Sequence, residues 1–202
     1  MKRLQLEVAS DVICPWCYIG KKRLQKALNL IDGEVQVDVA WLPFQLNPGM
    51  PKGGMPRAEY RKAKFGSLAR SRELDARVMA EGRSEGIEFA FDRIERTPNT
   101  TEAHRLIALA PDQDEVVNRL FRAYFEEARD IGDPAVLAEI AAQCGVEGWP
   151  EKAGDVSTLE GEVRAMGISA VPTFIFERKS GVSGAYPAQT LAAAMRETSA
   201  TT

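Results

Sequence analysis

The sequence predicts an α/β fold, in which helices cover a small sheet and an all-helical insertion interrupts the chain. Strand and helix patterns alternate at both ends of the chain, whereas the middle is helical in pattern throughout. The predicted order is β-α-β, then a block of helices, then α-β-β-α. A middle segment of this length is too long to be a loop, so we expect it to be an insertion between two halves of one sheet.

Composition and charge exclude several classes of protein. The chain has 202 residues, of which 45% are hydrophobic and 27% charged. These values are average for globular proteins and exclude a disordered, collagen-like or coiled-coil chain. The net charge of −3 provides no basic surface for nucleic acid or anionic lipid, so we expect neither nucleic acids nor membranes among the partners.

The N-terminus and the cysteine count indicate the compartment. Met1, Lys2 and Arg3 could begin a signal peptide, but Gln5 and Glu7 interrupt the apolar run that would have to follow. We therefore expect a cytoplasmic protein. Three cysteines are present, two of them close together. In a reducing compartment this pattern favours reactive chemistry or metal binding over a structural disulfide.

The first end of the chain has the pattern of a βαβ unit. Apolar and polar residues alternate over 3–12 and again over 35–44, which predicts two strands. Apolar residues recur at helical spacing over 15–31, and Pro15 stands in the first turn, where a missing N–H costs nothing. The crossover of such a unit should be right-handed.

Glycine, proline and apolar spacing divide the rest of the chain. They predict a loop at 46–56, four or five helices within 57–153, a helix at 156–166, a strand at 168–176, a turn at 179–181, a return strand at 182–185 and a final helix at 187–198. Thr100 and Asp133 are expected helix N-caps. The predicted domains are therefore 1–56 with 154–202, and a helical insertion at 57–153.

The segment Cys14-Pro15-Trp16-Cys17 carries the strongest chemical signal. Residues three apart at the start of a helix face the same side, so the two sulfurs can reach disulfide bonding distance. Free N–H groups and the helix dipole stabilise a thiolate at Cys14. Cys17, one turn further in, should be less exposed and harder to ionise. We expect Cys14 to attack a disulfide and Cys17 to resolve the mixed disulfide.

The segment 10–20, which contains this CPWC motif, resembles the active-site strand and helix of DsbA-type thioredoxin-fold oxidoreductases, in particular their FrnE-like branch. Further stretches resemble the same branch in the expected order, namely 44–48, 99–106, 120–125 and 167–176. The resemblance implies a thioredoxin-like fold with an all-helical insertion. It also implies that Pro172 is cis and faces the cysteines, and that the peptide group of Val171 pairs with an extended substrate.

The same resemblance implies further contacts to substrate. Related kappa-class glutathione transferases and 2-hydroxychromene-2-carboxylate isomerases hold glutathione with the corresponding loops, so glutathione is a candidate co-substrate rather than a bound cofactor. The residues expected to contact substrate are Pro15, Trp16, Asn47, His104, Val171, Thr173 and Ser183. Tyr186 stands where the family often has glutamine after Ser-Gly-Ala, which departs from the pattern.

Other interpretations of these residues remain open. Cys14, Cys17, Cys144 and His104 could form a Cys₃His zinc site by count alone, although only the first pair has ligand spacing. Cys144 ends an apolar helix and is expected to be buried and inert. His104 could be a structural hydrogen-bonding residue and Asn47 a loop cap. The helical block leaves a homodimer open.

We therefore expect a thiol–disulfide oxidoreductase or isomerase that exchanges disulfides through Cys14, Cys17 and Pro172. Its substrates would be protein or small-molecule disulfides and dithiols, with no metal involved. One alternative is a glutathione-dependent isomerase or transferase on the same fold, although those relatives usually carry serine at the first cysteine position. Another is a zinc-stabilised or chaperone-like binding module.

Overall fold

A computed structural model describes residues 2–201 and divides into two compact units. The first unit comprises Met1–Phe44 and Ser157–Thr202, and the second comprises Gln45–Val156. Positions 1 and 202, which bound the predicted first domain, lie outside the described residues. Within the described part of the chain, no helix is both long and apolar enough to cross a membrane.

The secondary structure follows the predicted order closely. The elements are β1 (Lys2–Ser10), α1 (Pro15–Leu30), β2 (Val35–Pro43), β3 (Met55–Pro56), α2 (Arg57–Phe65), α3 (Leu68–Ser84), β4 (Arg96–Thr97), α4 (Thr101–Leu109), α5 (Gln113–Phe125), α6 (Pro134–Gln143), α7 (Ser157–Ala165), β5 (Thr173–Phe176), β6 (Ser180–Ser183) and α8 (Ala188–Thr201).

The first unit contains a four-stranded mixed sheet in the order β2-β1-β5-β6. β1 pairs in parallel with β2 along all nine residues and antiparallel with β5 on its other side. The predicted βαβ unit is thus confirmed in its parallel pairing. Leu4, Leu6 and Val8, which share one face of β1, are fully buried, whereas Gln5 on the other face is exposed.

Helix α1 packs against α8 and against the segment before β5. Its buried face includes Tyr18, Ile19 and Leu24. Gly20 has a specific role on this face, because a Cβ there would lie only 2.9 Å from the Pro172 ring. The absence of a side chain at this position therefore lets α1 approach the segment at Pro172 closely.

Two predictions for the last hairpin are wrong. The strand predicted at 168–176 begins only at Thr173, because residues 168–172 form no ladder despite their β-branched composition. The turn covers 177–179, so it overlaps the predicted 179–181 only at Lys179, and Glu177 and Arg178 have positive φ, near 53° and 54°. The return strand accordingly begins at Ser180.

Tertiary contacts explain why two residues unsuited to positive φ occupy this turn. The Glu177 carboxylate accepts a hydrogen bond of 2.7 Å from the backbone N–H of Gln5, and the Glu177 N–H donates to the Gln5 carbonyl oxygen at 3.0 Å. Arg178 forms a bidentate ion pair with Glu7. Both turn residues are thus held by side chains and backbone of β1.

The second unit contains α2–α6 and the short hairpin of β3 with β4. Its core includes an aromatic cluster of Phe89, Phe91, Tyr124 and Phe125, whose ring centroids lie about 4.7–6.0 Å apart. Non-helical segments at 85–100 and 144–156 interrupt the predicted helical block.

The loop predicted at 46–56 belongs to the second unit, together with helices α2–α6, and not to the first unit. Asn99 donates a 2.7 Å hydrogen bond to the Met50 carbonyl oxygen, and β3 pairs with β4.

Asp133 caps α6 as predicted, and its side chain accepts a hydrogen bond from the N–H of Ala135. Thr100 occupies the N-cap position of α4, but its side chain makes no capping hydrogen bond.

Candidate functional site

The first cysteine of the pair lies at the N-cap of α1. Cys14 has extended backbone angles, and its N–H donates to the Asp11 carbonyl oxygen at 3.0 Å, which closes the turn after β1. No side chain caps this helix, and no acidic residue lies in its first turn. The positive end of the helix dipole therefore lies at the residue that carries this sulfur, without a carboxylate in the first turn to neutralise it.

The second cysteine lies deeper in the same turn. Cys17 is 1% exposed and Cys14 5%, and both are free thiols in the structure. Burial raises the pKa of the Cys17 thiol well above its usual value, and a hydrogen bond with Cys14 and repulsion from a Cys14 thiolate raise it further. The backbone of Asp11 and the hydroxyl of Ser10 oppose this effect only in part. The structure thus confirms the predicted difference in burial.

The segment at Pro172 lies beside the first cysteine. The Val171–Pro172 peptide bond is cis, as expected, and the Val171 carbonyl oxygen lies 3.8 Å from Cys14 Sγ, close enough to accept a weak S–H hydrogen bond. The Pro172 carbonyl oxygen accepts a 2.7 Å hydrogen bond from the N–H of Gly184. Together with the close approach at Gly20, these contacts hold Val171 against the cysteine pair.

A cavity of about 500 Å³ opens next to this segment within the first unit, a size typical of small-molecule sites. Its wall includes Ala170, Thr173 and Ser183, and Lys179 supplies a cation. Thr173 Oγ1 donates to the Ala170 carbonyl oxygen at 2.7 Å and lies 3.0 Å from Ser183 Oγ. Two predicted substrate-contacting residues, Thr173 and Ser183, therefore share one cavity wall.

Two aromatic side chains are exposed in the same unit. Trp16, between the cysteines, is 39% exposed although it is large and apolar. Tyr186 is similarly exposed, and its ring lies next to Gly184. The Ala185 carbonyl oxygen accepts a 2.6 Å hydrogen bond from Arg23 of α1, which fixes the segment carrying Tyr186. Both rings are available to an extended partner.

Asn47 and His104 belong to the second unit. Asn47 Nδ2 donates a 2.9 Å hydrogen bond to the Tyr60 hydroxyl, a contact that fits the alternative of a residue fixing its loop. His104 is buried on the apolar face of α4 with Ala103 and Leu106. A role for either residue in substrate binding stays a prediction.

The third cysteine departs from its expected environment. Cys144 is the C-cap residue of α6 and is half-buried, so the expectation of full burial is wrong. The helix ends there, which leaves its sulfur partly open to solvent. Across residues 2–201, no three side chains of His, Cys, Asp or Glu come together in a group able to hold a metal ion.

Sequence reasoning did not identify Ser10 and Asp11 as neighbours of Cys17. Both residues are buried; Ser10 ends β1, and Asp11 follows it at the start of the cysteine turn. Two polar residues after an apolar strand and directly before a CxxC segment are a signal that could have identified them. Lys179 lies in a turn, as the sequence predicts, and this turn between β5 and β6 also places it on the cavity wall, a role that the sequence did not indicate.

Comparison with known proteins identifies the family. Residues 5–196 match the model of the DSBA-like thioredoxin domain. The chain is 29% identical over 184 residues to the uncharacterized protein YwbO of Bacillus subtilis, covering 85% of this chain and 86% of that protein. A crystal structure of a probable DsbA oxidoreductase from Streptomyces coelicolor is similar with a TM-score of 0.83 and 30% identity, over 96% of this chain and 89% of that one.

A more distant structure shares the fold. The cytosolic disulfide reductase DsbM of Pseudomonas aeruginosa has a TM-score of 0.62 and 18% identity over 98% of this chain and 96% of that one, and it has also been solved with GSH. These matches confirm the predicted thioredoxin-like α/β fold with a helical insertion. The chain belongs to the family of DsbA-like thioredoxin domains.

Proposed function

We propose that this protein is a thiol–disulfide oxidoreductase that acts through Cys14 and Cys17. Family membership supports thiol–disulfide oxidoreductase or isomerase activity in general. The observation that carries the specific proposal is the asymmetry of the pair. Cys14 lies at an uncapped helix N-terminus with no carboxylate in the first turn, whereas Cys17 is buried and has a raised pKa.

This asymmetry suits a two-step exchange. The Cys14 thiolate attacks one sulfur of a substrate disulfide, forming a mixed disulfide and releasing the other sulfur as a thiolate. Cys17 then loses its proton and attacks Cys14 Sγ, which forms the Cys14–Cys17 disulfide and releases the second substrate thiolate. The substrate gains two electrons and the protein loses two. The reverse sequence oxidises a dithiol.

The buried position of Cys17 delays the second step until a substrate is attached. While Cys14 is a thiolate, it accepts a hydrogen bond from Cys17 and raises the Cys17 pKa by repulsion. Formation of the mixed disulfide removes the charge on Cys14, and with it the repulsion. Cys17 then ionises more readily, so that resolution follows attack.

The segment at Val171 is the proposed docking edge for substrate. Its peptide group lies next to Cys14 Sγ, and an extended chain that pairs with it by β-type hydrogen bonds would bring its own sulfur to the same place. Pro15 and Trp16 would border the other side of this chain. Thr173 and Ser183 would contact it from the cavity wall.

We further propose that glutathione acts as a co-substrate and that no cofactor is permanently bound. The adjacent cavity of about 500 Å³ is large enough for a tripeptide, and Lys179 offers a cation to one of its carboxylates. The GSH complex of DsbM, which has the same fold, is consistent with this proposal. A reducing cytoplasm, in which glutathione is abundant, is the proposed compartment.

Single cysteine replacements test the proposal through the reduction of insulin disulfides. Cys14→Ser should lower turnover to the uncatalysed background. Cys17→Ser should also stop turnover, but it should accumulate a covalent adduct at Cys14 that mass spectrometry detects and dithiothreitol releases. Cys144→Ser is the matched control and should retain wild-type turnover.

Two outcomes would contradict this assignment. Full turnover in Cys14→Ser would exclude that sulfur as the nucleophile. Adducts that form equally on Cys14 and Cys17 in the two single variants would contradict the assigned order of attack and resolution.

A further inference from the structure

The second unit contains a cavity that the proposed redox chemistry does not use. It has a volume of about 400 Å³ and lies between α2, α3 and the segment that follows Phe89. Three arginines, Arg57, Arg61 and Arg72, contribute to its wall together with apolar side chains. A wall that combines guanidinium groups with apolar surface is typical of sites for organic anions.

The charges beside this cavity are unevenly matched. Arg57 and Arg61 both donate to the single carboxylate of Asp75, the first at 3.2 Å. The exposed fractions of the Arg57, Arg61 and Asp75 side chains are only 12%, 11% and 17%. Little water is therefore available to solvate the positive charge that Asp75 does not neutralise. Burial lowers the pKa of the Arg61 guanidinium, and repulsion from Arg57 contributes in the same direction. The cluster therefore holds one more positive than negative charge.

Several guanidinium N–H groups of these arginines have no acceptor among the described residues. Arg61 uses Nε and Nη2 on the Ser71 hydroxyl and carbonyl oxygens and on Asp75. Arg57 donates through Nη2 to Asp75, and among residues 2–201 its Nε and Nη1 have no acceptor. Arg72 is exposed and forms no ion pair with any described residue. Arg61 Nη1 likewise has no acceptor among the described residues, so each of the three arginines keeps a donor for an external anion.

One apolar residue of the cavity wall, Leu68, is unusually exposed, and a bound ligand would account for that exposure. Leu68, in the first turn of α3, is 40% exposed although it is large and hydrophobic. Phe91 and Ile94 form the opposite apolar surface, and the Arg57 guanidinium lies over the Phe91 ring at 5.1 Å from its centroid. A ligand with an apolar body would cover Leu68 while its charged end meets Arg57 and Arg72.

The number of charges selects the class of ligand. Glu95 also lines the cavity, so the three arginines stand against two acidic residues, Glu95 and Asp75. One negative charge neutralises the remainder, whereas a doubly charged phosphate would exceed it. We infer that this cavity binds a small monocarboxylate with an apolar body, and the planar fork of Arg57 pairs with its carboxylate.

Octanoate is a suitable probe, and isothermal titration calorimetry on the full chain is a direct test. We expect one binding site with a dissociation constant on the order of 0.1 mM, as suits a ligand of this size. Octanol, which has the same chain and no charge, should bind at least tenfold more weakly. Inorganic phosphate should not displace octanoate.

Three variants locate the site. Arg57→Gln should weaken octanoate binding at least tenfold. Arg72→Gln should weaken octanoate binding about threefold. This variant should fold as the wild type does, because Arg72 is exposed and forms no ion pair with a described residue. Arg70→Gln, on the same helix but paired with Glu73 at 2.8 Å, is the matched control and should bind as the wild type does.

The outcomes separate this inference from the redox proposal. Equal affinity for octanoate and octanol, or unchanged affinity in Arg57→Gln and Arg72→Gln, would overturn it. Absence of any binding at millimolar octanoate would also overturn it and would show that the arginines only fasten α2 to α3. None of these results depends on insulin reduction, which the cysteine variants test separately.

Discussion

Two helices of this protein begin in opposite ways. Helix α5 begins at Asp112, whose carboxylate accepts a 3.0 Å hydrogen bond from the N–H of Glu115, and Asp114 adds a further negative charge to the first turn. Helix α1 begins at Cys14, has no side-chain cap and carries no acidic residue in its first turn. In α5 the positive end of the helix is neutralised, whereas in α1 it is left for sulfur.

The difference shows how a common structural element becomes a reactive one. A capping carboxylate stabilises a helix by about 1 kcal/mol, which α1 forgoes. In α1 the uncapped positive end of the helix lies instead at the residue that carries the proposed nucleophile. We interpret the missing cap as a loss of stability that leaves the helix start open for the chemistry of Cys14, and four changes test this interpretation.

The largest expected effect is a pH dependence of folding stability to which Cys17 of α1 contributes, together with Tyr124 and Cys144, whose pKa values are also raised. Cys17 keeps its proton in the folded state but ionises near 9.0 when unfolded, so folding stability is complete below that pH and falls above it. Cys17 should contribute about 1.4 kcal/mol per pH unit to this slope. Urea unfolding of the reduced protein between pH 8 and about pH 10.5 measures it.

Cys17→Ser should lose the part of this slope that comes from Cys17, whatever its stability at neutral pH, because serine does not ionise in this range. The exposed carboxylates that begin α5 cannot replace it, since they titrate in acid. Identical slopes in the wild type and in Cys17→Ser would contradict the raised pKa of Cys17.

Removal of a cap should affect α5 next most strongly. Asp112→Ala deletes the hydrogen bond to Glu115 and should lower the free energy of unfolding by about 1 kcal/mol. Thr100→Val is the matched control, because the Thr100 side chain makes no capping hydrogen bond at α4. Thr100→Val should change the free energy of unfolding by much less. An equal loss in both variants would show that the capping hydrogen bond of Asp112 is not the cause of the loss.

The converse change should stabilise α1. Serine is a favourable N-cap residue, so Cys14→Ser should raise the free energy of unfolding of the reduced protein by about 0.5–1 kcal/mol while it removes activity. Urea denaturation at pH 7 measures this gain. A loss of stability would mean that packing of the Cys14 sulfur outweighs capping.

The smallest effect should follow from a carboxylate introduced into the first turn of α1. Trp16→Glu gives this turn the negative charge that α5 has, which disfavours the Cys14 thiolate by about 0.3–1 kcal/mol. Alkylation of Cys14 by iodoacetamide at pH 7 should slow about two- to fivefold. Trp16→Gln controls for loss of the indole, and equal rates in the two variants would exclude an electrostatic cause.

Local pattern was sufficient to predict the β1-α1-β2 segment. Each strand was predicted to within two residues of its observed end, because alternation and the helical repeat are both strong there. Pro15 and the two cysteines marked the start of the helix. The cysteine pair and the cis peptide bond at Pro172 were likewise identified from the sequence, the second through family resemblance.

The parts that could not be predicted depend on contacts between distant residues. The turn at Glu177 and Arg178 contradicts local preference and is explained by Gln5 and Glu7, which lie about 170 residues earlier. The paired arginines at Asp75 form only once α2 packs on α3. Such contacts leave no periodic signal, because either partner alone has the pattern of an ordinary surface charge.

The position of β1 has a consequence for the lifetime of the reactive site. This strand lies between β2 and β5, and the turn that carries Cys14 leaves directly from its last residue, Ser10. Strands at the centre of a sheet exchange their amide hydrogens only when the whole unit opens, whereas edges such as β6 fray independently. The turn that carries Cys14 is therefore coupled to unfolding of the whole unit, whereas the Val171 side of the site, held through Gly184 directly after β6, is coupled to opening of the sheet edge.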